Sequence, residues 1–153
     1  MSLYMNLNED LKKYMKLKDK DKINAIRSII AAVKNFKTSS SKAKNEEITD
    51  EIIIDLASRE AKKREEAILA YEKLDRDELV EHEKNELEII KSYLPKSLSN
   101  EEISKIALET IQETGAKGPS DLGVVMKALI SKTKGRADGK MVNKIVREML
   151  AGL

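Results

Sequence analysis

Aliphatic side chains recur every third or fourth residue along almost the whole chain. Its only two prolines, Pro95 and Pro119, both fall between these periodic stretches. This period is that of an α-helix with one buried face, not the two-residue alternation of a half-buried strand. The fold is therefore predicted to be all-α. The abundance of Lys and Glu and an aromatic content of only 3% agree, because long unbranched side chains lose little freedom in a helix.

The stripes place the helices. Leu3, Leu7, Leu11 and Met15 mark a first helix over about 3–17, followed by the charged turn Lys18-Asp19-Lys20-Asp21. Ile23, Ile26, Ile30 and Val33, widened by Ile29, mark a second over about 22–37. Residues 38–47 read as a polar loop. Thr49 or Asp50 caps a long third helix reaching Leu74, with Ile53, Leu56, Ala57, Ala61, Ile68 and Tyr71 on its stripe. Asp75, with Glu78 three residues on, has the spacing of a capping box and is expected to start a fourth helix carrying Leu79, Val80, Leu87, Ile90 and Leu94. Two long helices joined by a tight turn make an antiparallel hairpin. Glu60–Arg64 and Glu88–Lys91 are expected to pair on its exposed faces.

Pro95 ends the fourth helix, since proline disfavours helical geometry in the residue before it. Three shorter helices follow. Ser99 with Glu102 opens the first, which ends at Gly115; Ser120 or Asp121 opens the second, ending near Gly135; Asp138 caps the third, which runs to about Leu150. The expected organisation is an N-terminal helical domain over 1–95, built on the hairpin, and a small three-helix domain over 96–153.

The sequence excludes several chemistries. It contains no cysteine, so disulfides, thiolate nucleophiles and cysteine-ligated zinc are ruled out. No segment is long and apolar enough to cross a membrane, and residues 1–18 do not have the layout of a secretory signal. A cytosolic location is the expectation. His82, the one histidine, lies among Glu81, Glu83 and Glu86 on a charged helix. It reads as a solvated surface residue, although Glu86 one turn on is placed to share a metal with it. No phosphate-binding glycine loop follows a strand, and nothing predicts a carboxylate pair held in a pocket. No catalytic residue, metal or cofactor is assigned.

Charge is strongly segregated. Residues 1–44 hold 11 Lys/Arg against 4 Asp/Glu, residues 45–95 hold 8 against 16, and residues 117–147 hold 8 against 2. Such asymmetry fits either a polyanionic partner or ordinary solvated faces. Within the acidic hairpin, Arg59, Lys62, Lys63 and Arg64 form a basic cluster. Arg64 falls on the apolar stripe, so it is expected to be partly buried against a carboxylate. Near the end of the chain, Lys127, Lys132, Lys134, Arg136, Lys140, Lys144 and Arg147 gather around the connector Gly135–Gly139. Basic side chains beside a helix start suit a phosphate backbone. The alternative is a plain basic surface, and the shortage of aromatics argues against stacking on single-stranded bases.

Taken together, these residues resemble a known family. The run Lys63-Arg64-Glu65-Glu66-Ala67, then Tyr71, Arg76, Asp77, Leu79, Glu83, Glu86-Leu87 and Tyr93-Leu94-Pro95, is similar to the YqeY-like (GatB/YqeY) family. So are Asp121-Leu122-Gly123, Met126, Lys134-Gly135-Arg136-Ala137-Asp138-Gly139-Lys140, Val142 and Val146. The resemblance implies an N-terminal helical domain and a small three-helix tail, similar to the C-terminal helical region of the GatB component of the tRNA-dependent amidotransferase. It also implies contact with tRNA, or assembly with amidotransferase or synthetase components. The glutamine-dependent carbon–nitrogen ligase chemistry of such complexes belongs to a domain absent here, so this chain is expected to be non-catalytic on its own. A helical protein–protein adaptor acting through the acidic hairpin is the alternative.

Overall fold

The computed structural model describes residues 2–153. They fold entirely as helices and connections: α1 (Leu3–Leu17), α2 (Lys20–Thr38), α3 (Ser41–Asn45), α4 (Asp50–Lys73), α5 (Asp77–Lys91), α6 (Asn100–Thr114), α7 (Leu122–Thr133) and α8 (Gly139–Ala151). A single 3-10 turn, Pro119–Asp121, precedes α7. The all-α class is thus the observed one. The chain divides into two compact units, the first ending at Pro95 and the second running from Lys96 to Leu153.

In the first unit, α4 and α5 pack along each other, α2 lies against both, and α1 packs on α2 and α4. The stripes meet in one core that includes Leu7, Ile26, Ile29, Val33, Ile53 and Ile90. Two hydrogen bonds link distant parts of this unit. The Leu3 amide donates to Asp50 Oδ1 at 2.8 Å, and the Tyr93 hydroxyl donates to Asp10 Oδ2 at 2.6 Å. In the second unit, Ile103 and Ala107 of α6, Val125 and Leu129 of α7, and Val142 and Val146 of α8 close a separate core.

Three helix starts use the expected side chains. Thr49, Ser99 and Asp138 accept from the amides of Ile52, Glu102 and Lys140 at 3.3, 3.1 and 3.1 Å, each satisfying an otherwise orphaned donor.

Three details differ from the sequence reading. Residues 41–45 are not loop but the short helix α3. Ser40 caps it and Ala43 is buried beneath it, so one apolar contact and one cap suffice to order a turn. Asp75 does not cap α5. It adopts the left-handed conformation at φ 53°, while the amides of Asp75 and Arg76 donate back to Glu72 and Tyr71. The turn is short enough that closing α4 uses the residue the capping box needed. Asp121 stands at the start of α7 as expected, but its side chain accepts from the Lys117 amide at 2.8 Å and not from an amide of the helix. On the hairpin, Lys63 pairs with Glu60 at 3.1 Å and Lys91 approaches Glu65 at 3.9 Å, whereas Arg64 turns inward.

Candidate nucleic-acid interface

The second unit holds the basic residues singled out above, and the fold treats them differently. Helix α8 buries Val142, Val146 and Leu150. Its opposite face then presents Lys140, Lys144 and Arg147 at helical spacings of four and three. All three are exposed. Arg147 Nε donates to Asn143 Oδ1 at 2.6 Å. Among the described residues, no carboxylate pairs with the ammonium groups of Lys140, Lys144 or the exposed Lys127 of α7.

Two of the candidates are committed elsewhere. Lys132 Nζ donates to Glu113 Oε2 at 2.7 Å and to Thr110 Oγ1 at 3.1 Å, tying α7 to α6. Arg136 is half-buried: its carbonyl accepts from the Leu98 amide at 2.7 Å and its Nε reaches the Lys96 carbonyl at 3.5 Å. It holds the connector against the segment entering α6. Gly135, at φ 77°, supplies the left-handed step that lets the chain turn there. Lys134 is exposed. The start of α8 already carries the Asp138 carboxylate, so attraction for an anion rests on the side chains of its solvent face.

A second concentration of charge lies in the first unit. Arg64 of α4 is 18% exposed at its side chain. Its guanidinium lies 3.1 Å from Glu86 Oε1 and 3.6 Å from Glu83 Oε2. The buried partner expected for Arg64 is therefore a pair of α5 carboxylates. Burial pushes the Glu86 carboxyl above the ordinary carboxylate range, against the opposing pull of Arg64 and then His82. His82 is not simply solvated. Its Nε2 contacts Glu86 and its Nδ1 lies 3.4 Å from Asp21 Oδ1 on α2. Glu86 carried a readable signal, because it falls beside Leu87 on the buried face of α5. Asp21 carried none, being one of four charges in a turn far away in the sequence.

Residues 4–150 match the family described as Yqey-like protein. The chain belongs to the YqeY-like family. It is 32% identical over 150 residues to the protein named Altered inheritance of mitochondria protein 41, mitochondrial, of Pyrenophora tritici-repentis, a match covering 94% of this chain and 78% of that one. The protein of the same name from Lachancea thermotolerans is 36% identical over 89 residues, 58% of this chain and 46% of that relative. The chain therefore spans less than half of the Lachancea protein. A Glutamyl-tRNA(Gln) amidotransferase subunit of Thermococcus gammatolerans is 31% identical over 88 residues, 55% of this chain and 14% of that relative. The expectation of a cytosolic location is overturned by these relatives, since the fungal ones are named as mitochondrial proteins.

Proposed function

We propose that this YqeY-like chain is a tRNA-binding accessory module whose C-terminal unit docks on the phosphate backbone. It contributes binding and no bond-making step of its own. The observation that carries the reading is the solvent face of α8, where Lys140, Lys144 and Arg147 line up and, among the described residues, no carboxylate pairs with the two lysines. A row of mobile cations on a rigid helix suits a phosphate chain, and its affinity comes largely from counterion release. Lys127 and Lys134 extend the basic surface. The shared segment with an amidotransferase component whose name includes Glutamyl-tRNA(Gln) supports tRNA as the nucleic acid. A protein–protein adaptor would call for a broad exposed apolar patch on the hairpin. Along α4, α5 and their turn, the strongly exposed large apolar side chains are Leu69 and Leu74 alone among the described residues.

The test is an electrophoretic shift of total tRNA at several stated salt concentrations, with wild type and a Lys140→Ala/Lys144→Ala variant. Each lost phosphate contact lowers the slope of log affinity against log salt by about 1, so the double variant should lose about 2. Its melting temperature should not change, because neither side chain is buried. Absence of wild-type binding at low salt, or an unaltered slope in the variant, refutes the proposal.

A further inference from the structure

Three side chains that no sequence neighbourhood connects meet on the first unit. Asp21 comes from the first turn of α2, and His82 and Glu86 are one turn apart on α5. Each offers a ligating atom, and those atoms all lie within 4.8 Å of one another. Glu86 is held in place: it is 4% exposed, and Arg64 occupies its other oxygen, Oε1, at 3.1 Å. Asp21 and His82 are 39% and 45% exposed at their side chains, so solvent reaches the open side of the cluster.

Two features of this arrangement call for a cation. The first is the imidazole. Both ring nitrogens face carboxylate oxygens, yet a neutral imidazole has only one N–H. The ring therefore satisfies both carboxylates only when it carries a positive charge, from a second proton or from a metal ion on one nitrogen. The second is charge. Glu83 and Glu86 share a single guanidinium, that of Arg64, and Asp21 adds a third carboxylate beside His82. The Glu83 Oε2 and Arg64 Nε atoms there are buried without a hydrogen bond, so the ion pair leaves part of this charge unsatisfied. A divalent ion among the three donors supplies the missing positive charge, taking one imidazole nitrogen and one oxygen from each of Asp21 and Glu86.

We propose that Asp21, His82 and Glu86 form a binding site for a divalent transition-metal ion of zinc type, bridging α2 and α5. Donors around such an ion sit ~2.0–2.2 Å from it and hence ~3.3 Å apart. The cluster closes to that spacing by small swings of the exposed Asp21 and His82, with Glu86 as the fixed point. Water completes the coordination from the open side. Arg64 positions Glu86 by hydrogen bonding to its second oxygen, as the partners of metal-bound carboxylates commonly do. The imidazole ligand favours zinc, nickel or cobalt over magnesium and calcium, which prefer all-oxygen shells.

The chain has one histidine and no cysteine, which makes the test unusually direct. Tag-free, chelator-stripped full-length protein is titrated with zinc by calorimetry, while the single imidazole is followed by NMR. The expected result is one ion per chain, a shift of the His82 ring resonances, and no such shift with magnesium. His82→Ala should abolish this binding. Asp21→Asn, at a half-exposed position that leaves the core intact, should weaken it by about tenfold or more. The proposal is overturned if no saturable zinc binding occurs up to millimolar concentration. It is equally overturned if several ions bind without moving the His82 signal, or if Asp21→Asn binds as tightly as wild type.

Discussion

Replacing Arg64 with Met keeps the aliphatic stem of the side chain and removes its charge. The consequence can be worked from three contacts. Arg64 bonds Glu86 at 3.1 Å, approaches Glu83 at 3.6 Å, and is itself only 18% exposed. Without it, Glu86 stays 4% exposed with His82 as its remaining neighbour. Breaking a buried ion pair from one side costs about 3–5 kcal/mol, because the surviving charge is stranded away from water. The lower end applies here, since His82 still faces that carboxylate. A loss of about 3 kcal/mol is expected at pH 7, or about 12 °C or more in the melting temperature of a unit this size.

The pH dependence sharpens the expectation. Burial already raises the Glu86 pKa in the folded protein, and Arg64 is the largest influence opposing that rise. A carboxyl whose folded pKa is raised favours the fold below its unfolded pKa and disfavours it increasingly as pH rises through the folded value. Removing Arg64 raises the folded value further. The penalty of Arg64→Met should therefore be small near pH 4, where the carboxyl is protonated in both states, and grow towards pH 7. Urea unfolding followed by circular dichroism, with chelator present, measures it. The double variant Arg64→Met/Glu86→Met should recover about 2 kcal/mol, since no charge remains stranded. A penalty below about 1 kcal/mol, or one that does not change with pH, refutes the reasoning.

Tyr93→Phe removes the 2.6 Å hydrogen bond to Asp10 and should cost about 1.5 kcal/mol at pH 7. Burial first, and then that bond, raises the Tyr93 pKa in the fold, so the wild type loses stability as the unfolded tyrosine ionises above pH ~10. The deficit of the variant should therefore shrink in alkaline urea titrations, and a deficit that widens there contradicts the assignment. Asp75→Gly relieves a non-glycine residue at φ 53° and should stabilise the protein by about 0.5 kcal/mol, after allowing for the freer unfolded chain. A lower melting temperature argues against strain at that turn.

Helix placement was largely legible because each stripe is a property of one helix. Leu3, Leu7 and Leu11 predict α1 without knowledge of what they touch, and Thr49, Ser99 and Asp138 act on amides two or three residues away. The reading failed where two local demands compete for one residue. Asp75 has the chemistry of a cap and the spacing of a capping box, yet the closing turn of α4 claims it first. Ala43 carries too weak a signal to announce a five-residue helix. Its burial depends on contact with α2.

The functional residues show the same division more sharply. A basic residue can be counted from sequence, but whether its charge is available depends on what the fold brings beside it. Lys132 and Lys144 look alike in the chain, yet Glu113 of α6 neutralises the first. Arg136 had the appearance of the connector's anion contact and instead braces the backbone at Lys96 and Leu98. In the first unit one further inference was within reach. Arg64 interrupts the apolar stripe of α4, and Glu83 and Glu86 interrupt that of α5, beside Val80, Leu87 and Ile90. Opposite charges on the facing stripes of two adjacent helices predict a buried pair, because neither charge is tolerable in a core alone. Asp21 was beyond such reasoning. Only the packing of α2 against α5 brings it to His82, and that contact turns a surface histidine into the centre of a cluster with an excess of negative charge.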